Sequence, residues 1–158
     1  IRHQASGIRH QASGIRLIDL CPCIPQGAWM RNYRKLVVWS RAKDLTVSVY
    51  ELTRSFPRDE RFGLTAQARR AAISIVSNVA EGAARRSDKE FARYLDVALG
   101  STAELQAQLE VALALGYSTD ATNEESAKRV IEVKKMLSGL LTAVTKRLPK
   151  GERDRSDA

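Results

Sequence analysis

Thiols and imidazoles are nearly missing from this sequence. The only cysteines are Cys21 and Cys23, the only histidines are His3 and His10, and neither residue type occurs again. From residue 24 onward this excludes the commonest general base, thiol nucleophiles and most zinc sites. A di-iron bundle would carry Glu-x-x-His pairs on facing helices, and these are absent. No stretch approaches the ~20 apolar residues that a membrane span requires. Two cysteines so close together make no disulfide framework, and their scarcity agrees with a reducing cytosol. Proline and glycine are few, aromatics make up 6% of the chain, no alternating run calls for a strand, and no glycine-rich phosphate loop follows one. A cytoplasmic protein with no membrane segment, no metal, no cofactor and no enzymatic activity is therefore expected.

What remains is a helix-forming composition dominated by alanine and leucine. With 158 residues, 44% hydrophobic and 28% charged, the chain can build one globular core. Its formal charge of +8 makes an acidic partner plausible, nucleic acid before an anionic membrane.

The first residues read IRHQASG-IRHQASG-IR. Two heptads ending in glycine are too short and too poor in helix formers for a coiled coil. We read residues 1–29 as an extension outside the fold, 30–149 as the folded body and 150–158 as a polar tail. His3, His10, Cys21 and Cys23 are all suitable zinc ligands, but their spacing matches no usual site. The run Leu17-Ile18-Asp19-Leu20 is too short and too charged for a secretory core. A chain starting at Met30 is expected to fold and assemble like the whole. A large loss of helix content, or of size by light scattering, on removing 1–29 would contradict this.

Four amphipathic segments follow Met30. The first carries Leu36, Trp39, Ala42, Leu45, Val49 and Leu52 at helical spacing and stops before Pro57. The second carries Leu64, Ala68, Ala71, Ala72, Ile75, Val79 and Ala83, and breaks between Gly82 and Arg86. Its alanines would let a neighbouring helix come close. The third restarts at Ser87-Asp88-Lys89-Glu90, a capping box. It continues through Phe91, Leu95, Ala98, Thr102, Leu105, Leu109 and Ala112 to a stop signal at Gly116. The fourth begins around Asp120–Thr122, with Thr122-x-x-Glu125 as its expected capping box. Val130, Ile131, Lys134, Leu137, Leu141, Val144 and Leu148 form its stripe, and Pro149 closes it. Short connections between such helices predict an all-α, antiparallel up-down-up-down four-helix bundle.

The body also carries a recognisable set of residues. These are Trp39 with Ala42, Tyr50, Phe56-Pro57, Glu60-Arg61-Phe62-Gly63-Leu64, Gln67, Arg70-Ala71, Ser74-Ile75, Asn78-Val79-Ala80-Glu81-Gly82, Arg86 and Gly100-Ser101-x-x-Glu104-Leu105. Together they resemble the four-helix-bundle family of 23S rRNA intervening-sequence proteins, over residues 33 to 148. The resemblance implies a bacterial helical bundle that assembles as a ring, a homopentamer. It also implies kinship in fold with accessory proteins of diversity-generating retroelements, which work with a reverse transcriptase and nucleic acid. It implies no biochemical activity.

Two clusters stand out as candidate sites. Arg70, Ser74, Asn78, Glu81 and Arg85 lie on one face of the second segment. Gly82 belongs to the same motif, and Ser101 and Glu104 lie one turn apart on the third. We expect Arg70, Ser74, Asn78, Glu81, Gly82, Gly100, Ser101 and Glu104 to form a hydrogen-bonded network between helices or subunits. Gly100 costs ~1 kcal/mol against alanine inside a helix, which a close backbone approach would explain. The competing chemical reading makes Glu81 and Glu104 a carboxylate pair or a Mg2+ site.

The second cluster is basic. No Lys or Arg occurs from Tyr94 to Ala127. Antiparallel folding instead gathers Arg31, Arg34, Lys35, Arg85, Arg86, Lys89, Arg93, Lys146 and Arg147 at one pole. Helix-dipole complementarity explains the cations ending the fourth helix, but not the convergence of the others. The expected function is therefore non-catalytic binding of RNA or DNA backbone by an oligomer. The alternative is a protein-interaction scaffold, for example a partner of a reverse transcriptase or ribosomal component.

Overall fold

Residues three and four apart become four buried stripes, because a helix turns ~100° per residue. The computed structural model describes residues 31–149; the repeat, the histidines, the cysteines and the polar tail lie outside them. The helices are α1 (Val37–Leu52), α2 (Leu64–Ala83), α3 (Asp88–Ala114) and α4 (Asp120–Thr145), with 3-10 turns at Tyr33–Lys35 and Arg58–Arg61. Among the described residues there is no strand. Each helix packs on its neighbours in sequence, and α4 closes on α1. The result is the expected up-down-up-down bundle.

One core runs through all four helices: Val38, Ala42, Leu45 and Val49 from α1, and Ala68, Ala71, Ala72, Ile75, Val79 and Ala83 from α2. Phe91, Leu95, Ala98, Leu105 and Leu109 join them from α3, and Val130, Val133, Leu137 and Val144 from α4. All seven stripe residues expected on α3 are buried. On α4 the stripe is rotated from the expected one. Val133 and Ser126 are buried, whereas Ile131 and Lys134 face outward. Val130 and Leu137 fit either stripe, so neighbouring apolar residues left the rotation open.

Local signals set the ends. Ser87 Oγ accepts from Glu90 N at 3.2 Å. The Glu90 carboxylate meets that hydroxyl at 3.0 Å instead of reaching the backbone, so only half of the expected box forms. The box of α4 lies one turn earlier than expected: Thr122 N donates to Thr119 Oγ1 and Thr119 N to Thr122 Oγ1, at 3.3 and 3.1 Å. Glu125 pairs with Arg129 instead, at 3.0 Å. At the end of α3, Gly116 takes φ +72°, a left-handed conformation natural to glycine. Tyr117 N then reaches Ala112 O at 2.9 Å. At the start of α2, the Glu60 carboxylate accepts from Leu64 N at 2.8 Å and from the Tyr117 hydroxyl at 3.3 Å. Among the described residues no helix is long and apolar enough to cross a membrane.

Candidate nucleic-acid interface

The antiparallel topology brings the start of α1, the α2–α3 turn and the end of α4 to one end of the bundle. Arg31 N donates to Ala83 O at 3.1 Å, fixing the strand of chain before α1 against the last turn of α2. Arg34, Lys35, Arg86, Lys89, Arg93, Lys146 and Arg147 are exposed at this end. The other end carries the α3–α4 turn with exposed Glu124 and Glu125, offset by exposed Arg54, Arg58 and Arg61 in the α1–α2 connection. The Lys128 ammonium, hydrogen-bonded to Glu124 at 2.8 Å, holds the Glu124 carboxyl below the usual carboxylate range. A cleft of about 670 Å³ opens at that far end; Ser and Thr residues line it together with Leu52, Tyr117 and Ala121, and its wall is mostly apolar.

Among the expected phosphate ligands, Arg31 and Arg85 are held by aromatic and acidic groups of the subunit. Arg31 is only half-buried, yet it pairs with Asp88 and lies 4.6 Å over the Phe91 ring. Arg85 bonds Glu81 at 2.5 Å, contacts the Tyr94 hydroxyl and stacks 4.8 Å from its ring centroid. Arg85 is partly buried, whereas Arg86, adjacent in sequence, is exposed.

The polar residues of α2 and α3 form a seam along the outer side of that helix pair, and it is less connected than expected. Its direct cross-helix bonds are Ser74 Oγ to Ser101 Oγ at 2.8 Å and Tyr94 Oη to Glu81 at 3.0 Å. The Asn78 amide stays on its own helix, donating to Ser74 O at 2.8 Å and Ser74 Oγ at 3.1 Å. Arg70 bonds Gln67, and Glu104 accepts from Gln108 at 3.0 Å, again along single helices. Glu81 and Glu104 are not a pair. Glu81 touches Tyr94, and Glu104 lies about 15 Å further along α3 at the helical rise per residue. Among the described residues no group of three or more His, Cys, Asp and Glu is placed to hold a metal ion. Tyr94, which sequence reasoning passed over, ties the seam together. Its one available signal was the i,i+3 spacing from Phe91.

The glycines exchange roles. A Cβ on Gly82 would stand 2.7 Å from Tyr94 Cβ and 2.9 Å from Phe91 Cδ2, so α3 approaches α2 closely at Gly82. Gly100 is exposed, with nothing within 4 Å of such a Cβ; the close contact expected there does not exist inside the subunit. Gly82→Ala should therefore lower stability by about 1–3 kcal/mol through overpacking. Gly100→Ala should raise the intrinsic stability of the subunit by about 0.5–1 kcal/mol through helix propensity. Thermal unfolding checks Gly82→Ala, where a gain would refute the packing argument; for Gly100→Ala it is run at a concentration where light scattering finds the chain monomeric.

No curated protein matches the chain. A solved structure described as a protein with unknown function from the S23 ribosomal protein family of Bacteroides thetaiotaomicron superposes with a TM-score of 0.61. The match covers 66% of this chain and 98% of that one at 23% identity, a likeness of fold. The family model described as 23S rRNA-intervening sequence protein matches residues 34–139. That stretch holds most of the bundle, including the polar seam and the α2–α3 turn, and the chain belongs to the 23S rRNA-intervening sequence protein family.

Proposed function

We propose that this protein is a non-catalytic, oligomeric bundle of the cytoplasm that binds the backbone of RNA or DNA through its basic end. The observation that carries the reading is the convergence of exposed Arg34, Lys35, Arg86, Lys89, Arg93, Lys146 and Arg147 from three separate parts of the chain. The other end mixes both signs, so the basic end offers an approaching polyanion the stronger attraction.

Assembly strengthens this arrangement. Val97, Gly100, Glu104 and Val111 lie on one side of α3 and are exposed, beside the polar seam. A second copy packed there would give Gly100 the close neighbour it lacks within the subunit. A ring of five copies would repeat the basic end around an axis and multiply individually weak phosphate contacts. The test is titration of the full chain with RNA and with DNA at two salt concentrations, with light scattering on the same samples. The expected result is an oligomer whose affinity falls steeply with salt. Absence of binding at low salt would reject the reading in favour of a protein-interaction scaffold.

A further inference from the structure

We infer that the basic end, if it binds nucleic acid as proposed, prefers an unpaired strand and takes a base against the aromatic pair Tyr33 and Trp39. Tyr33 sits in the 3-10 turn before α1, and Trp39 lies in the first turn of that helix. Their ring centroids are 4.9 Å apart in an edge-to-face arrangement. Both residues remain partly exposed. Both rings pack on the core, so each can offer a base only its outward side.

A cation lies over each ring and would have to swing aside, toward the phosphates, for a base to stack there. The Arg34 guanidinium lies 5.7 Å from the Tyr33 centroid, and the Lys43 ammonium 6.0 Å from that of Trp39. Lys35 is exposed next to Arg34. Aromatic faces bordered by cations are the elements of single-strand recognition: the rings stack on bases and the cations follow the phosphates. A duplex keeps its bases stacked on each other and can engage only the cations.

A pair that merely closed the end of the core would be expected to satisfy its polar atoms. The Trp39 Nε1 donor has no hydrogen-bond partner, although a buried indole N–H usually finds one. Nε1 is buried where the indole packs on the core, so the ring would have to turn outward before this donor could meet an acceptor on a base edge.

The test uses the full chain carrying Trp29→Phe, so that Trp39 is its only indole. Oligouridylate and a duplex of equal phosphate number are titrated at the same salt concentration. The expected result is tighter binding of the single strand, with quenching of Trp39 fluorescence. Tyr33→Leu, which keeps an apolar side chain in the turn, should weaken single-strand binding about tenfold and leave duplex binding and the salt slope unchanged. Equal affinity for both forms, with Tyr33→Leu silent, would overturn the inference and leave backbone binding intact. If neither form binds at low salt, backbone binding fails and this inference fails with it.

Discussion

Replacing Phe91 by alanine is expected to remove about 3–5 kcal/mol of stability, as for large buried aromatics. The ring is 1% exposed and fills the space between α2 and α3 that Gly82 leaves open. Its other side carries the Arg31 guanidinium, held in turn by Asp88. Truncation would open a cavity and also release the link from the segment before α1 to the start of α3. For a domain of this size the midpoint of thermal unfolding should fall by roughly 10–20 °C. Adding Gly82→Ala to Phe91→Ala should cost less than Gly82→Ala alone, because one of the two atoms its Cβ would strike is gone. A coupling of about 0.5–3 kcal/mol is the ordinary range for residues in contact. Denaturant unfolding of the two single variants and the double variant measures it. Additive losses would mean that the ring and the glycine do not share this space.

The second large effect concerns binding. Lys35→Glu with Arg93→Glu and Lys146→Glu reverses three exposed charges at the basic end. Helix content and unfolding temperature should hardly change, since solvated surface charges contribute about 0–1 kcal/mol even when paired. Affinity for RNA should fall by about a hundredfold or more at low salt. The slope of log affinity against log salt should flatten by about two to three, since each lost phosphate contact removes about 0.7–0.9. Arg85→Ala is the contrasting variant. Because Arg85 is held by Glu81 and Tyr94, its loss should lower stability slightly and leave the salt slope near that of the parent. If the triple variant binds like the parent, the basic end is not the contact surface.

The sequence by itself determined the four helices, their antiparallel order and the end of the bundle to which each cation belongs. These follow from signals carried within one turn or one connection. Apolar residues recur at helical spacing, Ser87 and Gly116 mark helix ends, and connections as short as that between Ala83 and Asp88 force neighbouring helices to reverse. The buried stripe of α3 was legible because its apolar residues hold helical spacing from Phe91 to Ala112; that of α4 was not, because Ile131 and Val133 compete across Val130. Only the tertiary structure decided that Gly82 rather than Gly100 marks the tight approach, that Tyr94 ties the polar seam, and that Arg31 and Arg85 are engaged within the subunit. Arg31 and Asp88 are 57 residues apart in the chain. Whether they meet depends on how far each helix is rotated about its axis and how closely the helices pack. Periodicity fixes which residues share a face, but the partner that face receives is set by the helix packed against it.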